Sequence, residues 1–130
     1  MNSCRNWLKR YLPVVGMVLV CLSMIGCDDS SRNGELMTGG DAGKGRGLIV
    51  KYGCNACHVI DSIPGAIGQV GPPLTNIKQR SYIAGVLSNK PANLQRWIMN
   101  PTEISPKTAM PDLDVTEQDA RDIAAFLYSQ

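Results

Sequence analysis

The stretch from Tyr52 to Ile60, YGCNACHVI, contains the side chains of this 130-residue chain with the most distinctive chemistry. Cys54 and Cys57 are separated by two residues, and His58, the only histidine, follows directly. Cysteines at this spacing share one helical turn, and the next imidazole can point a neutral nitrogen to the same side, where it is a good ligand for iron. The C-x-x-C-H pattern is that of haem attachment through two thioether bonds. We therefore predict that Cys54, Cys57 and His58 fasten one haem.

Three other interpretations of this motif use its residues less completely. A closed structural zinc site needs four ligands, and two cysteines and one histidine this close together cannot complete a tetrahedron with a carboxylate. A thioredoxin-like redox pair requires a βαβ context, which the sequence lacks. A structural disulfide between Cys54 and Cys57 would leave His58 without a role.

Methionines supply the second candidate ligand. Haem that carries electrons is often held by histidine on one side and methionine on the other, which raises the reduction potential. Met37 lies in a polar segment, and Met99 lies on a predicted helix beside Trp97, where it can serve as core filler. Met110 precedes Pro111 in a loop well beyond the attachment motif. We predict that Met110 is the other axial ligand.

The elements that must position these residues are predicted to be short helices joined by long loops. Asp41 can cap a helix within DAGKGRGLIVKYG, and Thr116 with Asp119 can cap one within TEQDARDIAAFLYSQ. ANLQRWIMN has helical spacing and stops before Pro101, and NIKQRSYIAGVLSN is predicted as a further short helix. No alternating strand pattern is visible, and two stretches, IDSIPGAIGQVGPPL and PTEISPKTAMPDLD, are rich in loop residues. The predicted class is all-α, with three to five short helices wrapped around one covalent haem.

The first 26 residues have the pattern of an export signal. Basic MNSCRNWLKR is followed by uncharged YLPVVGMVLVCLSMIG, which predicts a secretory signal peptide or, as the alternative, an N-terminal membrane anchor. Cys27 directly after Gly26 resembles the lipobox of bacterial lipoproteins, so we expect Cys27 to be acylated. Residues 27–40 are polar and glycine-rich and predict a flexible tether, which leaves 41–130 as the folded domain. The expected location is the periplasmic face of the bacterial cytoplasmic membrane, with a soluble periplasmic protein as a further alternative.

Charge excludes one class of function. The chain has 13 Lys and Arg against 11 Asp and Glu, and three of the basic residues lie in the signal. The remainder, 10 against 11, is close to neutral. A nucleic-acid-binding protein needs a clustered basic face, so no nucleic-acid partner is expected.

Four segments in order, GCNACH, GPPL, NLQRWIMNP and TAMPDL, resemble the class I c-type cytochromes over residues 41–130. The resemblance implies the cytochrome c fold, in which an N-terminal helix crosses a C-terminal helix. Gly45, with Phe126 or Tyr128, is the implied contact at this crossing.

The resemblance also implies roles for residues around the haem. The carbonyl of Pro72 would accept a hydrogen bond from His58 and orient it. The indole N–H of Trp97 would meet a haem propionate. Arg80 and Tyr82 would also bond or neutralise the propionates.

The expected function is one-electron transfer without a chemical reaction of its own, because His58 and Met110 would occupy both axial positions and leave no site for a substrate. Expected donors are a quinol-oxidising complex or a dehydrogenase, and expected acceptors are a terminal oxidase or reductase. The alternatives are a fixed haem subunit of a larger dehydrogenase or oxidase, a peroxidase-like or gas-binding enzyme with an open iron position, and a thiol–disulfide lipoprotein.

Overall fold

A computed structural model describes residues 29–130, so the predicted signal peptide and Cys27 lie outside the described residues. The helices are α1 (Asp29–Thr38), α2 (Ala42–Lys51), α3 (Pro91–Met99), α4 (Pro101–Ile104) and α5 (Glu117–Tyr128). Two short strands, β1 (Tyr82–Ile83) and β2 (Leu87–Ser88), and two 3₁₀ turns, Cys54–Ala56 and Ile77–Gln79, complete the fold. The mostly helical architecture confirms the predicted all-α class. Within residues 29–130, no helix combines the length and the apolar character that crossing a membrane requires.

Residues 27–40 were predicted to be a flexible tether, and helix α1 corrects this prediction for residues 29–38. Asp29–Thr38 is helical and packs on α5. The helix ends at Thr38, and the next residue, Gly39, has a φ of 69°, the left-handed conformation that commonly terminates helices. The Gly39 amide donates to the Glu35 carbonyl over 2.8 Å. Composition misled here because this helix is held by tertiary contacts rather than by intrinsic propensity.

Helices α2 and α5 make the most extensive contact between elements of the fold. Their predicted caps are confirmed: the Asp41 carboxylate accepts from the Lys44 amide and Thr116 accepts from the Asp119 amide. At Gly45 the two helices are so close that an added Cβ would lie 2.5 Å from the Asp122 carbonyl carbon and 2.9 Å from the Phe126 Cβ. Of the two aromatic residues implied for this contact, Phe126 is therefore the one that meets Gly45.

The segment predicted as a helix within NIKQRSYIAGVLSN is instead a 3₁₀ turn followed by a hairpin whose strands have two residues each. β1 pairs antiparallel with β2, Tyr82 opposite Ser88 and Ile83 opposite Leu87. The turn between them has positive φ at Ala84 (50°) and Gly85 (73°), the backbone that tight hairpins favour. Helix α4 is a second correction, since it lies in a stretch predicted to be irregular.

The hydrophobic core is centred on α5, which contributes more buried residues than any other described element. These are Ala120, Ile123, Ala124, Ala125, Phe126, Leu127 and Tyr128. Around them pack Ile49 from α2 and Leu94, Trp97 and Ile98 from α3. Ile123 and Leu127 also face a large cavity, so one side of the core is the wall of the candidate site.

Candidate haem site

The attachment motif lies on a tight turn that directly follows α2. Gly53 adopts φ 71° and starts the 3₁₀ turn Cys54–Ala56, a conformation that glycine reaches without steric cost. The amides of Cys57 and His58 both donate to the Cys54 carbonyl, over 3.2 and 3.0 Å. The turn thus holds both thiols and the imidazole together, as the spacing predicted. No disulfide joins Cys54 and Cys57.

His58 is held by the loop that contains the GPPL segment. Its Nδ1 lies 2.7 Å from the Pro72 carbonyl oxygen, the contact that the family resemblance implied. With a proton on Nδ1 donating to Pro72, the Nε2 lone pair is free to bind a metal. Gly71 lies against the ring, and an added Cβ there would be 2.5 Å from Nδ1 and 2.8 Å from Nε2. The Gly71 amide donates to the Cys57 carbonyl over 2.8 Å and ties this loop to the motif.

A cavity of about 430 Å³ opens beside the motif, a volume typical of cofactor sites. Its walls are mainly apolar. Every residue predicted for the site lines it: Cys54, Cys57, His58, Pro72, Arg80, Tyr82, Trp97 and Met110. Met110 is far from His58 in the sequence, yet the fold brings both to the same cavity.

The residues present fit a covalently held haem. The thiols of Cys54 and Cys57 share one turn, and the His58 Nδ1 is hydrogen-bonded to the Pro72 carbonyl. Met110, which carries a thioether sulfur, lines the same apolar cavity. A structural metal ion fits less well, because residues 29–130 contain no group of three or more His, Cys, Asp or Glu side chains that could hold one. The site therefore has the donor set for iron within a porphyrin rather than for a bare metal.

Arg80 contacts the loop around His58 as well as the cavity. Its Nη2 donates to the carbonyls of Pro73 and Thr75, the latter over 3.2 Å. The guanidinium therefore fixes the segment that carries the Pro72 carbonyl, and its remaining N–H groups are available to an anionic group in the cavity. Tyr82 lies at the cavity rim with 63% of its surface exposed.

Trp97 and Met110 approach the cavity from α3 and from the loop after α4. Trp97 is 9% exposed and lines the cavity, the position that the resemblance implied for it. The Met110 amide donates to the Thr108 hydroxyl over 3.2 Å, which shapes the loop that presents the sulfur.

Several ionisable groups of the domain have pKa values that burial or hydrogen bonding shifts. Burial raises the pKa of the Cys54 thiol, so the uncharged thiol is favoured there. The Tyr52 hydroxyl donates to the Asp119 carboxylate over 2.5 Å, and Lys51 lies 3.2 Å from the same oxygen. The hydrogen bond from Tyr52, with the Lys51 ammonium beside it, lowers the pKa of Asp119. Burial raises the pKa of Tyr128 to about 12.

Several residues that shape the site were not identified from the sequence. Tyr52 lines the cavity and connects α2 to the start of α5 through Asp119. Asn89 donates to the carbonyls of Ile77 and Arg80 over 2.7 and 2.8 Å, and its own carbonyl accepts from Tyr128 over 2.5 Å. These are long-range partners, and no local pattern in the sequence marks them.

Comparison with known proteins agrees with this geometry. The cytochrome c family model matches residues 42–130. Cytochrome c oxidase subunit 2 from Alkalihalophilus pseudofirmus is 34% identical over 89 residues, which is 68% of this chain and 25% of that protein. The chain thus corresponds to about a quarter of the length of this relative. No solved structure gives a significant match. Because the family model covers well over half of the sequence and the site has the matching donor set, the chain belongs to the cytochrome c family, whose members carry covalent haem c and transfer electrons.

Proposed function

We propose that this protein is a monohaem class I cytochrome that transfers single electrons at the periplasmic face of the cytoplasmic membrane. One haem would be bonded covalently to Cys54 and Cys57, with His58 and Met110 as the axial ligands of its iron. The observation that carries this proposal is that His58 and Met110, distant in sequence, line one apolar cavity beside both thiols. Bound there, haem supplies a centre that accepts and returns one electron.

The surrounding residues have distinct tasks in this proposal. The Pro72 carbonyl accepts the Nδ1 proton of His58, which fixes the tautomer and orients the imidazole. Apolar side chains such as Leu94 and Ile123 exclude water, which keeps the local dielectric low. Trp97, Arg80 and Tyr82 supply N–H and O–H groups for the propionates.

The membrane assignment rests on sequence features outside the described residues. The signal pattern of residues 1–26 and the lipobox-like Cys27 support export and acylation. The proposed donors are a quinol-oxidising complex or a dehydrogenase, and the proposed acceptors are a terminal oxidase or reductase. The anchor would keep the domain near such membrane partners.

A second candidate function is a fixed electron-transfer subunit of a larger oxidase. The similarity to an oxidase subunit favours it, since the 89 matched residues make up a quarter of that much longer chain. Purification from membranes in mild detergent separates the two: a shuttle elutes as a monomer, and a fixed subunit elutes with its complex.

Spectroscopy of the purified protein tests the proposal. We expect haem absorbance that survives denaturation and a weak long-wavelength band from iron–sulfur bonding that Met110→Ala abolishes. Met99→Ala, a methionine that does not line the cavity, is the matched control and should retain this band. Ready binding of carbon monoxide by the reduced wild type would contradict Met110 ligation and favour the enzyme alternative. Mature protein without haem would favour the thiol–disulfide alternative.

A further inference from the structure

Helix α1 lies upstream of the segment that matches the cytochrome c family, which begins at residue 42, yet it is docked on the domain. Gly34 and Thr38 are its buried residues. At Gly34 the helix touches α5 so closely that an added Cβ would overlap the Ala125 carbonyl oxygen. At Gly40, just after the helix, an added Cβ would lie 2.6 Å from the Asp122 amide nitrogen.

Polar contacts hold the same helix from two other elements. Gln95 of α3 donates to the Thr38 carbonyl over 3.1 Å, which satisfies one of the carbonyls left free where α1 ends. The Glu35 carboxylate accepts from the Ala42 amide at the start of α2 over 3.4 Å. Helix α1 therefore contacts α2, α3 and α5 and is an integral part of the folded unit.

The docked face of α5 is the one turned away from the haem cavity. Ile123 and Leu127 line the cavity, whereas Arg121 and Ala125 meet the segment around α1. At 100° per residue, positions two apart lie on roughly opposite sides of a helix. The anchor-bearing segment thus covers the back of the domain relative to this cavity wall.

The docking of α1 shortens the distance that the chain can span between Cys27 and the folded domain. Only Asp28 separates Cys27 from the first residue of α1. If residues 28–40 formed a free tether, those 13 residues would have a root-mean-square span of roughly 20 Å and an extended reach of about 45 Å. With α1 docked, the two Cα steps from Cys27 to Asp29 span at most about 8 Å.

We propose that α1 is a rigid mount that holds the cytochrome domain against a lipid bilayer at a fixed height and orientation. The inference rests on the proposed acylation of Cys27 and deepens the proposed function. It implies that partners must present their redox centre close to the membrane surface, and that the α5 face around Arg121 and Ala125 is unavailable to them. A rigidly mounted domain moves along the membrane with its anchor rather than swinging out from it.

Pulsed electron paramagnetic resonance on the full-length, haem-loaded, acylated protein in phosphatidylglycerol–phosphatidylethanolamine vesicles tests the mount. Spin labels at the exposed positions Leu36→Cys and Lys78→Cys report the separation of α1 from the domain. The wild-type background should give one narrow distance distribution. Gly34→Leu should widen it severalfold, because its side chain cannot fit against the Ala125 carbonyl. Asn33→Leu is the matched control, since it adds the same side chain at the exposed neighbouring position, and should leave the distribution narrow.

Quenching of a headgroup-attached dye by the haem tests the bilayer part in the same vesicles. Wild type and Asn33→Leu should quench equally, and Gly34→Leu should quench less because its domain drifts away from the surface. A broad wild-type distribution, or equal quenching by all three proteins, would overturn the mount while leaving the haem function intact. An intact mass without acyl chains on Cys27 would overturn the membrane anchoring. Loss of haem absorbance in the wild type would instead refute the proposed function.

Discussion

Two glycines on the same helix give a sharp test of the α2–α5 contact. Gly45 is buried against α5, and Gly47 is exposed with no atom within 4 Å of an added Cβ. Replacing either glycine by alanine in a helix interior gains about 1 kcal/mol of helix propensity. At position 45 the new methyl group would also lie 2.5 Å from the Asp122 carbonyl carbon. Backbone atoms cannot rotate away, so α2 and α5 must separate.

The magnitude follows from these two terms. Overpacking a tight interface costs about 1–3 kcal/mol, and a contact with the backbone belongs at the upper end, about 3 kcal/mol. Gly45→Ala should therefore lose about 2 kcal/mol net, while Gly47→Ala gains about 1 kcal/mol. For a domain of this size, 1 kcal/mol corresponds to roughly 4–8 °C in melting temperature. We expect Gly45→Ala to melt about 8–16 °C below wild type and Gly47→Ala a few degrees above it.

Thermal and guanidinium unfolding of the haem-loaded proteins, followed by far-ultraviolet circular dichroism, measures both variants. Moving α2 away from α5 should also change the shape of the haem cavity, because Ile49 on α2 and Ile123 on α5 line it. The iron–sulfur band of Gly45→Ala is therefore expected to weaken at temperatures where Gly47→Ala retains it. Equal melting temperatures for the two variants would refute the close approach of these helices.

Two further predictions concern the polar contacts of the site. Arg80→Lys keeps the charge but cannot bridge the Pro73 and Thr75 carbonyls with one planar group, so the loop that carries the Pro72 carbonyl is held less firmly. The weaker His58–Pro72 hydrogen bond should raise the reduction potential by roughly 30–60 mV, equivalent to about 0.7–1.4 kcal/mol. A redox titration that shows no shift, or a lower potential, would contradict this prediction. Asp119→Asn should lower the melting temperature at neutral pH, since the folded state holds the pKa of this carboxyl below its usual value. The stability that Asp119 contributes is present above the unfolded pKa of about 3.9 and is lost as pH falls through the lower folded pKa. The melting temperatures of the wild type and of Asp119→Asn should therefore converge in acid. A constant difference from neutral pH to acid would assign the effect to something other than the charge.

Local rules predicted the parts of the fold that are determined locally. The caps at Asp41 and Thr116 each depend on an oxygen and an amide three residues apart, and sequence displays that spacing directly. The C-x-x-C-H motif is likewise contained within one turn. The prediction of Met110 did not depend on adjacency to His58. That prediction followed from the position of Met110 in a loop beside Pro111, where a methionine is less often part of the hydrophobic core.

The hairpin could not be predicted in the same way because its strands have only two residues each. Such short strands show no alternation that exceeds chance. They are positioned by Asn89, which donates to the Ile77 and Arg80 carbonyls while Tyr128 donates to its side-chain oxygen. Residues so distant in the chain are joined by tertiary structure, which no local pattern in the sequence displays.

Gly34 and Gly40, in the segment predicted to be a flexible tether, and Gly45, in the predicted helix that follows it, all serve to pack helices together. Gly34, Gly40 and Gly45 all contact the backbone of α5, at Ala125, Arg121 and Asp122. Each is a point where a side chain would prevent the close approach, so glycine here is a packing residue. Glycine loses more conformational entropy on folding than other residues, and the burial of α5 on this side offsets that loss. Because α5 is held closely at its back, its opposite face, with Ile123 and Leu127, is fixed as the wall of the haem cavity. Part of the segment predicted to be a flexible tether is thus among the elements that make the site rigid.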